Sequence, residues 1–287
     1  MIPNTNDGTH ATPYLRCDLN YGNLRNLPEY QDVPRGDDRA LHEAIKAAGY
    51  TGIQDGDPDL CRELGLGVTV GARVNEVGII GNLARQWQDA GYECGTLHLA
   101  YGLEDDDAVD ALVDDVLEAV AQTGFPLYIE THRATITQDI YRTVKLVERR
   151  PEIRFNADFS HWYTGSEMTN GDIAAKMDFI QPVFDRVRFM HGRIGNPSHI
   201  QVDIGDGTNR PHVDHFREFW TRSFRGFLAT AQPGDYIVFT PELLPPVIHY
   251  AREFPDAQGN LQEESNRWEQ AKVLTRIARE CFEAATA

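Results

Sequence analysis

Short apolar runs alternate eight times with helix-period segments along this chain, and few folds can absorb that pattern. The runs begin with PYLRCDL (13–19), TGIQ (51–54), VTVGARV (68–74) and CGTLHLAYG (94–102). FPLYIETH (125–132), IRFNADFS (153–160), RVRFMHG (186–192) and DYIVFTPELL (235–244) complete them. Between them lie segments with apolar residues on one helical face. The plainest is the stripe Val109, Leu112, Val113, Val116, Leu117 and Val120, which ends at Gly124. Asn75 is placed to cap the helix after the third run. KAAGYTGIQDG (46–56) and QDAGYECGTLHLAYG (88–102) repeat one joint, a helix end, a cap glycine and a strand. Eight such units in one chain fit a closed (β/α)8 barrel, an α/β fold, better than an open doubly wound sheet. An open sheet usually carries its phosphate-binding glycine loop early, and none is present here. No linker divides the chain, so residues 1–287 are expected to form a single domain, with 1–12 a flexible N-terminal segment.

The balance of charge narrows the partners. Lys and Arg total 27 against 44 Asp and Glu, a formal charge of −17. An acidic surface repels nucleic-acid phosphates and anionic lipids, so no nucleic acid and no membrane is expected as a main partner. No apolar run reaches the ~18 residues of a membrane span, and the start lacks a signal pattern. Cys17, Cys61, Cys94 and Cys281 stand far apart and read as free buried thiols. A cytoplasmic protein is the expectation.

In such a barrel the chemistry sits at the C-terminal strand ends. Strands five to eight end in LYIE, FNAD, RFMH and IVFTPE, placing Glu130, Asp158, His191 and Glu242 around one mouth. Three carboxylates beside an imidazole repel one another unless a cation stands between them. One divalent metal ion is therefore expected, Mn2+, Mg2+, Co2+ or Zn2+. Side chains alternate along a strand, so His161, three residues after Asp158, is expected on a loop, reaching back to the metal or the substrate. Trp162 is expected to form an apolar wall of the pocket. His199 belongs to a long Gly-, Asn- and Pro-rich loop (192–212) and is a candidate for substrate contact. His98, inside LHLAYG, reads as a satisfied interior histidine.

ETHR (130–133), ADFSHW (157–162), FMHGRIG (189–195) and TPELLPP (240–246) resemble the xylose isomerase-like TIM barrel superfamily, in its sugar phosphate isomerase/epimerase branch. The likeness covers residues 95–250; the first three strands match only in layout. It implies that Glu130, Asp158, His191 and Glu242 bind one divalent metal and that His161 and Arg193 contact substrate. It implies a small-molecule carbohydrate substrate, and the pairing common among such barrels allows a homodimer.

Glu130 and Glu242, on opposite sides of the metal, are then the expected catalytic pair. One removes a proton beside a carbonyl to give an enediolate and the other returns it. That chemistry makes a sugar or sugar-phosphate isomerase or epimerase. A lyase or dehydratase uses the same first step on a keto-sugar or sugar acid. An endonuclease IV-like phosphodiesterase is disfavoured by the charge of −17 and by a third strand ending GARVN, without histidine. A non-enzymatic sugar-binding protein would show weakened metal ligands, and all four are present.

Overall fold

The computed structural model describes residues 1–287. Eight parallel strands form the barrel. They are β1 (Tyr14–Asn20), β2 (Gly52–Gln54), β3 (Gly67–Val74), β4 (Gly95–Leu99), β5 (Leu127–Glu130), β6 (Phe155–Ala157), β7 (Val187–Gly192) and β8 (Asp235–Pro241). Each pairs with the next, and β8 returns to pair with β1 in parallel, Tyr14 opposite Tyr236 and Cys17 opposite Phe239. The fold is the expected (β/α)8 barrel.

The outer ring comprises α1 (Asp38–Ala47), α2 (Pro58–Leu64), α3 (Ile80–Ala90), α4 (Asp106–Thr123), α5 (Ile140–Arg149), the short α6 (Ser160–Gly165), α7 (Ile173–Phe184), α8 (Pro211–Leu228) and α9 (Arg267–Thr286). Local chemistry sets their ends. Asp57, Asp105 and Asp139 accept backbone N–H bonds from the first turns of α2, α4 and α5. Gly65, Gly91 and Gly124 close α2, α3 and α4 in the left-handed conformation that glycine adopts without strain. The helix after β3 differs from expectation. It begins at Ile80 rather than at Asn75, whose amide instead donates to the Tyr101 hydroxyl, and Val77 is left exposed. Gly78, at φ +90°, turns the chain there.

Alternation along the strands separates core from site. In YLRCDLN of β1, Leu15, Cys17 and Leu19 are apolar, while Arg16, Asp18 and Asn20 form a buried polar row. Leu97 and Leu99 of β4 and Ile129 of β5 belong to the same apolar set under the helices, and Thr96, His98 and Glu130 to the interior set. The N-terminal segment, expected to be flexible, docks: Ile2 is buried and Thr5–Asn6 pairs antiparallel with β8. No helix is long and apolar enough to cross a membrane.

Gly192 links packing to the site, since it follows His191 directly. A Cβ there would fall inside contact distance of the Phe239 ring, itself fully buried and set edge-on against Trp220 at 4.9 Å. Gly192→Ala is expected to destabilise the fold by about 1–3 kcal/mol through overpacking. A lowered urea midpoint would show it; an unchanged midpoint would mean that the strand end shifts freely.

Candidate metal centre

Glu130 ends β5 at the centre of the barrel mouth, 2% exposed. Its Oε1 lies 3.0 Å from His98 Nε2 and 3.3 Å from His191 Nδ1, and its Oε2 accepts from Asn156 Nδ2 at 2.9 Å. Burial pushes this carboxyl up, but His98 and His191 outweigh it and hold Glu130 well below the usual carboxylate range. Asp158 follows β6 and is fully buried. Its Oδ1 accepts from the backbone N of Ser160 at 3.0 Å and from the Ser160 hydroxyl at 2.5 Å. Asp158 Oδ2 stands 3.0 Å from Arg193 Nη2. Burial pushes Asp158 up to about 6, against the pull of Arg193.

His191 lies between the acids. Its Nδ1 is 3.3 Å from Glu130 Oε1 and 3.6 Å from Glu242 Oε2, and its Nε2 is 2.8 Å from Gln54 Oε1. Burial opposes the imidazolium, yet Glu242 and Glu130 raise His191 to about 9. One donor atom each from Glu130, Asp158 and His191 lie within 4.8 Å of one another, and His98, Glu130 and His132 form a second such group. Glu130 Oε1 and Asp158 Oδ2 are buried and make no hydrogen bond. Asp158 Oδ2 already has the Arg193 guanidinium beside it, while Glu130 Oε1 faces only the His98 and His191 rings. Converging buried carboxylate and imidazole donors of this kind fit a divalent metal.

No protein-family model and no curated protein sequence matches the chain. Solved structures do. The xylose isomerase-like TIM barrel protein from Mycobacterium smegmatis, in complex with magnesium, superposes with a TM-score of 0.55 at 12% identity. That match covers 96% of this chain and 98% of the other. The probable 3-DHS dehydratase AsbF of Bacillus anthracis, involved in petrobactin synthesis, gives 0.52 at 14% identity over 79% of this chain and 92% of its own. The chain has the xylose isomerase-like TIM barrel fold.

Within this xylose isomerase-like barrel, Glu130, Asp158 and His191 come together as the strand ends required. Glu242 stands beside them, its Oε2 on Arg193 Nη2 and its Oε1 3.4 Å from Asn20 Nδ2. None of the four residues expected at the substrate lines the cleft, but His161 and Arg193 stand directly beside Asp158, whereas Trp162 and His199 lie apart from the cluster. His161 rides the first turn of α6 rather than a loop, 2% exposed, with neither ring nitrogen hydrogen-bonded. Its ring lies 3.8 Å from that of His132, and burial holds it neutral. Arg193 is 1% exposed, ion-paired with Asp158 and Glu242 and stacked 4.4 Å from the Tyr250 ring. Trp162 is no pocket wall. It packs against Phe159 in the core, and its indole N–H donates to Thr137 O. His199 is exposed, turned onto Asn196 of its own loop, and does not reach the cleft.

A cleft of about 260 Å³ opens onto Glu130, His191 and Glu242, and its other walls come from the early strands: Asn20, Gln54, Asp55, Arg73, Thr96 and His98. His98 was expected to be an interior residue; the structure half-exposes it in this cleft against Glu130. Parity was the available signal. Thr96 and His98 alternate with Leu97 and Leu99, and His132 stands two residues from Glu130.

Proposed function

We propose that this chain is a divalent-metal-dependent isomerase or epimerase of a small sugar, working by proton transfer through an enediolate. The observation that carries the reading is the set of converging donors of Glu130, Asp158 and His191, among them the buried Glu130 Oε1, which makes no hydrogen bond. Glu130, Asp158, His191 and Glu242 would hold the metal, whose chemistry is Lewis-acid polarisation of a carbonyl oxygen. Glu242, 15% exposed at the edge of the cleft, is the side chain best placed to take a proton beside that carbonyl. Glu130, held ionised by His98 and His191, has no proton to give, so Glu242 itself returns the proton it took, to the neighbouring carbon. Of the eleven residues lining the cleft only one is hydrophobic, which suits a polyhydroxylated ligand.

A second reading is a dehydratase, favoured by the likeness to AsbF. It would share the proton abstraction and then expel a hydroxyl group. Deuterium uptake without loss of water separates the first reading from the second.

The metal is tested by elemental mass spectrometry of untagged protein and of His191→Ala. About one divalent ion per chain is expected, lost in the variant. Two or three zinc ions would point instead to a phosphodiesterase, and no ion after soaking in Mn2+ would sink the enzyme reading.

A further inference from the structure

The polar contacts behind His191 run in one direction, and they start at a backbone amide. Gly22 N–H can only donate, and it donates to Asn20 Oδ1 at 2.7 Å. A Cβ on Gly22 would stand 2.7 Å from that same oxygen, so glycine is what permits the contact. The Asn20 amide nitrogen is thereby turned the other way, where it donates to Gln54 Oε1 at 2.9 Å. Gln54 is held from its far side too, its Nε2 donating to Thr96 Oγ1 at 3.2 Å. Both amides are buried, at 4% and 0% exposure, so solvent offers neither an alternative partner.

The remaining contact of Gln54 Oε1 is His191 Nε2, at 2.8 Å. An amide oxygen has no proton to give, so that ring nitrogen must carry one. When the ring is neutral it has a single N–H and Nδ1 is bare; with no cation present, Glu242 and Glu130 favour a second proton there at lower pH. Nδ1 is the nitrogen facing Glu130 and Glu242. Asn156 does not compete for either nitrogen. Its Nδ2 lies 3.3 Å from both, on neither lone-pair axis, and donates to Glu130 Oε2.

We propose that Gln54, oriented by Asn20 and the Gly22 amide, is a positioning residue that fixes His191 as its Nε2–H tautomer and so presents Nδ1 to a divalent cation. The role of the cation rests on the metal-dependent reading above; the tautomer does not. Histidine ligands depend on the group that accepts their second N–H, and losing it typically costs about 10–100-fold in metal affinity.

Asn20→Asp tests the relay in the full-length protein. The introduced carboxylate would still accept from Gly22 N–H but would have no N–H for Gln54. Gln54 then turns its own Nε2 toward both that carboxylate and His191, and the imidazole proton moves to Nδ1. Two-bond 1H–15N spectra of 15N-histidine protein are expected to show Nε2–H for His191 in the wild type, without metal at alkaline pH and with Zn2+. The variant is expected to show Nδ1–H without metal and to bind Zn2+ about tenfold more weakly or worse. The added charge alone would tighten Zn2+ binding, so the two explanations differ in sign. Gln54→Glu, an acceptor from either side, is expected to retain Nε2–H, and it decides the matter if Asn20→Asp fails to fold. Nδ1–H in the metal-free wild type, or a variant with unchanged spectrum and undiminished affinity, would overturn the relay. A wild type that shows Nε2–H yet binds no Zn2+ would sustain it while removing the metal reading.

Discussion

Glu242→Gln is expected to lower turnover by about a hundred- to ten-thousand-fold, the usual contribution of a positioned acid or base. Gln has the shape of Glu and can still reach Asn20 and the rim of the cleft, so substrate affinity should change far less than kcat. What the amide lacks is the ability to take a proton. Glu242 is also the acid best placed for the step: its Oε1 makes only the long 3.4 Å contact with Asn20, whereas Glu130 is held by His98, His191 and Asn156. The readout is solvent-deuterium uptake into a ketose that the wild type converts, alongside calorimetric binding of the same ketose. Uptake near the wild-type rate would remove Glu242 from the proton transfer. Equal losses of kcat and binding would reduce it to a ligand of metal or substrate.

The second large effect lies deeper in the barrel. Arg16 and Asp18 stand on one face of β1 and meet in two parallel bonds, Nε to Oδ1 at 3.0 Å and Nη2 to Oδ2 at 2.7 Å. Arg16 also reaches Glu93 at 2.5 Å and the Tyr236 hydroxyl at 2.9 Å. Two glycines make room for the pair: a Cβ on Gly52 would lie 2.5 Å from Asp18 Oδ1, and one on Gly67 2.5 Å from Arg16 Nη1. Arg16→Met leaves a fully buried carboxylate without its cation and is expected to cost about 3–5 kcal/mol near neutral pH.

The cost should depend on pH with a definite sign. Burial already raises Asp18 from an ordinary 3.8 to about 6, while Arg16 pulls it down. Without Arg16 the folded-state value rises further. An acid whose folded value is raised supports the fold while protonated and loses that support as pH rises. The variant should therefore approach wild-type stability near pH 4 and fall behind it progressively through pH 6 and above. Removing both charges, as Arg16→Met with Asp18→Leu, should recover most of the loss, since a buried pair gains little over an apolar replacement. Urea unfolding across that pH range checks both statements. A single variant losing under about 1 kcal/mol at pH 8, or losing equally at all pH values, would mean that water reaches Asp18.

Several features were local enough to be legible in the sequence. Eight apolar runs punctuated by cap residues predict the barrel because strand alternation, helix period and glycine C-caps act over a few neighbouring residues. The acids at the ends of β5 and β6, the histidine of β7 and the acid after β8 could be named because the C-terminal end of a parallel strand always opens on the same face. Glu130, Asp158 and His191 meet for that reason. Tertiary packing decided the rest. Trp162 follows His161 in the chain, but α6 turns its ring into the core, where its N–H finds Thr137 O. Arg193 is one residue beyond β7, and what determines its place is the buried charge of Asp158 and Glu242 below it and the Tyr250 ring against it. The cleft walls come from Asn20, Gln54, Thr96 and His98, on strands whose ends carry no cluster of acids to mark them. Closing β1 against β8 brings Asn20 to Glu242, more than two hundred residues away. The side chains of a strand determine its two faces; which face becomes a site depends on what the rest of the chain lays against the other.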